Sequence, residues 1–286
     1  MRDVIIENPI LNSPYREPSR HFMFDDDGIT DRVADGRRSS TYFVPVPQPK
    51  KKGKQLVLDS QWTEGRMKPN DFINDVRQRV SIWRGAGYPG ITAVTRRLLE
   101  HWKSQNLERR LFFCHIEALE TAVYIAEYVP KSSDHWVTQK LKDLNANSGS
   151  TLYRIAFKMA TGSGKITVMA MLVAWNVLNK IPDRGDKRFS DCFLFVTPGI
   201  TIRDRLRVLL PSDPGNYYRA FDIVPADLRG DGTVHSRESV SASGAGCGRR
   251  AAGVGGRGRE VGCRRAVRKY GRREPTEGRG AEHVQE

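Results

Sequence analysis

The chain has 286 residues and a formal net charge of +14, enough length for one large or two modest domains. Its longest apolar run, Val168 to Trp175, falls far short of the roughly 18 residues that a membrane-spanning helix needs, so no membrane association is expected. The four cysteines, Cys114, Cys192, Cys247 and Cys263, form no C-x-x-C pair. That spacing argues against the common zinc and dithiol motifs and fits reduced thiols in a cytoplasmic protein.

Residues 1–68 form an extension rich in proline and charge. Met1 to Pro18 has neither the apolar segment of a signal peptide nor the arginine-rich amphipathic pattern of a transit peptide. Short extended pieces are predicted at Arg20 to Phe24 and Thr41 to Val46, and Asp25-Asp26-Asp27-Gly28 reads as a turn between them. The aspartates do not continue into a calcium-loop spacing, so a solvated turn explains them. Lys50-Lys51-Lys52-Gly53-Lys54 is a basic run that could touch a phosphate backbone, although a solvated run accounts for it equally.

Residues 69–150 read as a helical region. Phe72, Ile73, Val76, Val80 and Trp83 follow a 3.6-residue period, with Asn70 or Asp71 available as N-cap. Val94, Leu98, Leu99 and Trp102 make a second stripe. Phe112, Ile116, Leu119, Val123 and Ala126 make a third, which ends at Pro130. A fourth segment covers Trp136 to Leu144, and Asn145 to Ser150 reads as a loop.

The most informative stretch is Leu152 to Lys180. Leu152 to Lys158 has the aromatic and β-branched content of a strand, Gly162, Ser163, Gly164 and Lys165 form a glycine loop, and an apolar helix follows. Strand, glycine loop ending in lysine, helix is the context of a phosphate-binding loop. A polyphosphate needs many donors in little space, and the N–H groups at a helix N-terminus supply them along with the positive dipole end. Gly162 and Gly164 let the backbone curl where a Cβ would forbid it, Thr161 and Ser163 complete the loop, and Lys165 would reach the β/γ-phosphates. The next position, which normally carries a hydroxyl for Mg²⁺, is Ile166. Thr167 cannot substitute for it, because one residue along a helix is a rotation of about 100°.

Phe189 to Thr197 is predicted to be a buried strand, broken by Pro198-Gly199, with a helix from Ile200 to Leu210. Strand, helix, strand, helix implies an α/β fold with a parallel sheet, of which residues 151–228 hold the first part. After Leu228 the composition changes. Residues 229–286 contain thirteen Gly and twelve Arg but no Leu, Ile, Met, Phe or Trp, too little apolar surface to offset chain entropy, so disorder is expected there. The tail reads either as an Arg/Gly segment that binds RNA or as the product of a frameshift in GC-rich codons. The abrupt flip in composition favours the frameshift.

Met159-Ala160-Thr161-Gly162-Ser163-Gly164-Lys165 resembles the M-A-T-G-S-G-K-T loop of superfamily 2 DEAD/DEAH-box helicases, and most closely the motor subunit of type III restriction enzymes. Val196-Thr197-Pro198-Gly199, followed by a basic helix, is similar to the motif that grips a nucleic-acid backbone in these motors. Arg110 to Ala118 is similar to the segment that carries an adenine-reading glutamine, with His115 at that place. The resemblance covers about residues 105 to 228.

It implies an incomplete RecA-like domain, ATP and Mg²⁺ as cofactors, and DNA as partner, with a methyltransferase subunit as a further possible partner. It implies nucleotide contacts from His115, Thr161, Gly162, Ser163, Gly164, Lys165 and Ile166, and nucleic-acid contacts from Thr197, Pro198, Gly199, Arg203 and Arg207. The Asp-Glu pair, the second RecA-like domain and the nuclease residues of such motors are not found in the sequence. The expectation is therefore a motor-derived N-terminal fragment that does not hydrolyse ATP, the alternative being a non-catalytic nucleotide- or nucleic-acid-binding module.

Overall fold

In the computed structural model, which describes residue 6 and residues 8–25, 28–44, 67–149 and 152–229, the apolar stripes become helices around one core. Helix α1 (Asp71–Gly85) buries Val76, Val80 and Trp83, and α2 (Ala93–Trp102) buries Leu98, Leu99 and Trp102. Helix α3 (Phe113–Val123) buries Ile116, Leu119 and Val123. Each such side chain contributes roughly 1.5–3 kcal/mol by leaving water. Thr92 caps α2 by accepting the Thr95 N–H. Asn70 stands before α1 but its side chain makes no capping bond.

The third stripe runs on through a π-helical turn, Tyr124–Tyr128, and a 3₁₀ turn, Val129–Lys131, where Pro130 has no N–H to continue the ladder. Helix α4 (His135–Asn147) follows, and then α5 (Lys165–Lys180), the helix that the glycine loop feeds. Its buried residues, among them Val168, Met171, Trp175 and Leu178, pack against α2 and α3. Helix α6 (Ile200–Arg205) runs into a 3₁₀ turn, Leu206–Leu209, and α7 (Tyr217–Ala220) is a single turn. The segment after α7 returns to α2. Trp102 Nε1 donates to the Ile223 carbonyl at 2.8 Å, and Arg97 forms a two-bond pair with Asp227 at 2.8 and 2.9 Å. No helix among the described residues is long and apolar enough to cross a membrane.

The β structure differs from expectation. Among the described residues it consists of two antiparallel pairs, β1 (Arg20–Asp25) with β2 (Gly28–Asp35) and β3 (Thr41–Phe43) with β4 (Met67–Pro69). The predicted Arg20 and Thr41 strands are there, but no parallel sheet is. The predicted strands Leu152 to Lys158 and Phe189 to Thr197 form no regular element and have no ladder partner among the described residues, and the second is not buried, since Leu194 is 67 % and Val196 74 % exposed.

The physical reason is visible in their burial. Phe157, Met159 and Phe195 pack on the core while their neighbours in sequence face water, the period-two pattern of a strand with one face covered. Among the described residues no second segment pairs with either edge to complete the hydrogen bonds. The architecture is thus mixed α and β, with the helices carrying the core. The Lys50–Lys54 run and the Gly/Arg-rich tail lie outside the described residues.

Candidate phosphate-binding loop

Residues 160–165 form a closed loop at the head of α5. Gly162 and Gly164 both take φ of +78°, the left-handed region that glycine enters without a Cβ penalty. The Ala160 carbonyl accepts from Ser163 Oγ at 2.7 Å and from Lys165 Nζ at 2.7 Å, so loop and lysine curl around one oxygen. Lys165 is exposed, and among the described residues no carboxylate pairs with it. Its ammonium donates to a neutral carbonyl, which leaves the positive charge uncompensated and able to attract an anion.

Thr161, Gly162 and Lys165 are exposed, and Ser163, Gly164 and Ile166 half-buried, so the structure brings the predicted loop residues together at the surface. Thr167 is 3 % exposed and Val168 and Met171 share its burial, so its hydroxyl belongs to the core. Ile166 is aliphatic. The first turn of α5 therefore offers no oxygen ligand at the position where the resemblance implies Mg²⁺, and these residues do not fit a protein-held Mg²⁺ ion there.

His115 also belongs to this loop, on the face of α3 turned toward it. It is 4 % exposed and stacked on Phe112, ring centroids 5.2 Å apart. The Phe112 N–H donates to Nδ1 at 3.2 Å, the reciprocal half of a capping box, and Nε2–H donates to the Ser163 carbonyl at 2.7 Å. The two bonds fix a neutral tautomer with both nitrogens engaged. Cys114 lies alongside, its Sγ 3.9 Å from the same carbonyl, and burial pushes its thiol pKa up.

Desolvation holds the His115 pKa below the ordinary histidine value, against an opposing effect of the Ser163 carbonyl. A depressed native pKa means that the unfolded chain takes the proton first. The contribution is fully present above about pH 6.5 and is lost as pH falls through the lowered native value. Stability measured by urea unfolding is expected to fall between pH 7 and pH 5, and to fall less steeply in His115→Asn. Equal slopes for the two proteins would contradict this.

The residues predicted to touch nucleic acid are only partly assembled. Thr197, Arg203 and Arg207 line a cavity of about 310 Å³ with Phe195, Leu206 and Leu209, as the four-residue spacing of the arginines requires. Pro198 and Gly199 are exposed and do not line it. The arginine charge is already engaged, Arg203 with Asp204 at 3.0 Å and Arg207 with Asp213 at 3.9 Å. The chain matches no protein-family model, no curated protein and no solved structure.

Two fully buried carboxyl groups escaped the sequence reading. Glu120 is fully buried against Arg84, at 2.7 Å, and Tyr88, whose hydroxyl donates to it; burial drives the Tyr88 pKa upward. Glu127, also fully buried, accepts from the Thr92 N–H at 2.8 Å, Thr95 Oγ1 at 2.6 Å and Trp175 Nε1 at 2.9 Å. It ties α2 and α5 to the π-helical turn, and so fixes the helix on which the loop sits. Their signal in the sequence was an acidic residue set inside an apolar helical run, alone at Glu127 and three residues after Glu117 at Glu120.

Proposed function

We propose that Gly162–Lys165 binds the polyphosphate of a nucleotide, and that this chain does so without turning it over. The observation that carries the reading is the Lys165 ammonium, which among the described residues pairs with no carboxylate, beside two left-handed glycines at the head of a sixteen-residue helix. Backbone N–H groups of the loop and the helix dipole favour the same anion. The loop sequence further supports descent from a superfamily 2 motor of type III restriction kind. Its ligand would then be ATP and its track DNA, with a methyltransferase subunit as companion. On this reading 152–158 and 189–197 are strands of a RecA-like sheet that want neighbours. The Cys114 thiol, which among the described residues is in no disulfide, suits a cytoplasmic setting.

Binding without turnover follows from Ile166 and Thr167, which leave the metal without a hydroxyl ligand, and from a sequence in which no Asp-Glu pair follows an apolar strand. Titration with ATP and with inorganic triphosphate should show binding of both and no DNA-stimulated release of phosphate. Lys165→Ala should weaken that binding by about tenfold or more, as expected for loss of one charge-assisted contact. Ile166→Thr should strengthen Mg-nucleotide binding by no more than about 1–3 kcal/mol and should restore no hydrolysis. Turnover that disappears in Lys165→Ala would defeat the claim of a silent site. Absence of any triphosphate binding would defeat the loop reading.

A further inference from the structure

We infer that His115 is a positioning residue that clamps the loop shut, and that a nucleotide held there is selected by its phosphates and not by its base. The inference rests on the phosphate-loop reading above. Recognition of a base edge needs a side chain with a free donor or acceptor, and His115 has neither. Nδ1 holds the Phe112 N–H and Nε2–H holds the Ser163 carbonyl, which leaves only ring carbons. With 4 % exposure and a ring stacked on Phe112, it cannot turn outward without leaving both partners.

The clamp also explains the glycine opposite it. A Cβ on Gly164 would lie 2.4 Å from His115 Nε2, closer than atoms can approach, so the imidazole occupies the space that only a glycine leaves. Gly162, with the same φ, has nothing within 4 Å of such a Cβ. Histidine and Gly164 thus form one unit. The imidazole closes the inner side of the loop by holding the Ser163 carbonyl, while the Ser163 N–H bonds back to the Ala160 carbonyl at 3.4 Å, so the loop is tied at both of its ends. The only other polar side chain that α3 brings to this carbonyl is the weakly donating Cys114 thiol.

His115→Asn separates the two bonds. Asparagine at this third helical position can still accept the Phe112 N–H, but it is too short to reach Ser163. His115→Phe keeps the stacked ring and loses both bonds. Wild-type protein should bind ATP, GTP and inorganic triphosphate within about threefold of one another, and His115→Asn should weaken all three by one common factor of about five to ten. Hydrogen exchange of the amides from 162 to 166 should rise in both variants, by about tenfold or more, while α4 is unchanged.

A wild-type preference for ATP over GTP beyond about tenfold would overturn the inference, as would a loss in His115→Asn confined to ATP, since either would show a base being read. Unchanged loop exchange would overturn the clamp. If wild type bound none of the three ligands, the phosphate-loop reading would fall and base indifference with it, whereas the exchange measurement would still decide the clamp by itself.

Discussion

Glu127→Ala is expected to cost about 3 kcal/mol of unfolding free energy, because it takes one shared acceptor from three donors, of which only Trp175 Nε1 keeps a second, Thr95 Oγ1 at 3.1 Å, and each donor left unsatisfied costs about 1–3 kcal/mol. Those donors are the Thr92 N–H, Thr95 Oγ1 and Trp175 Nε1, and Thr95 and Trp175 are themselves sealed from water. The cavity left by the side chain adds to the loss.

Asn179 cannot rescue the site. Its Nδ2 already donates to Thr95 Oγ1 and to the Trp175 carbonyl, and its Oδ1 accepts from Thr92 Oγ1. Glu127→Gln serves as the control, since its amide oxygen can still serve Thr95 and Trp175 while its NH₂ faces the Thr92 N–H. It should lie between wild type and alanine. Urea unfolding reads the difference as a shift in midpoint at constant slope. An alanine variant within about 1 kcal/mol of wild type would mean that water replaces the carboxyl group, and that the seam does not hold α5 in place.

The helices were legible in the sequence because their signal is local. Val76, Val80 and Trp83, or Leu98, Leu99 and Trp102, recur at a spacing that fits one face, and all six are buried. The glycine loop was legible for a similar reason, since Gly162 and Gly164 stand where left-handed backbone is needed and α5 begins at Lys165. The strands from Leu152 and Phe189 were not, because a strand is completed by a partner elsewhere in the chain, as the pieces at Arg20 and Thr41 are by β2 and β4. Cys192 to Val196 has the composition of a buried strand, yet Leu194 and Val196 face solvent where the ladder has no second member.

Site residues divide along the same line. Lys165 could be named from its neighbours in sequence, whereas the part played by His115 depends on Ser163, 48 residues away. The pairing of Arg203 with Asp204 and of Arg207 with Asp213 likewise changes what those arginines can offer, and spacing gives no warning of it.

The sharpest comparison lies between two glycines with equal backbone angles. Gly162→Ala should cost only the left-handed penalty of an L-residue, about 1–2 kcal/mol, because open space surrounds its missing Cβ. Gly164→Ala meets the same penalty and must also displace His115 Nε2, which would lie 2.4 Å from the new methyl group. That atom ends a side chain, but not a free one: the ring is buried, stacked on Phe112 and bonded at both nitrogens. Moving it forfeits two hydrogen bonds of about 1 kcal/mol each, so the whole change should approach 3–4 kcal/mol. It should also push the Ser163 carbonyl out of place and weaken triphosphate binding by about a hundredfold, against less than about tenfold for Gly162→Ala. Urea melts and triphosphate titrations of the two variants make the test. In Gly164→Ala with His115→Ala the ring is gone, so the clash should vanish and stability should recover part of the difference despite the lost clamp. Equal losses for Gly162→Ala and Gly164→Ala would show that backbone strain alone governs the loop and that the imidazole is a bystander.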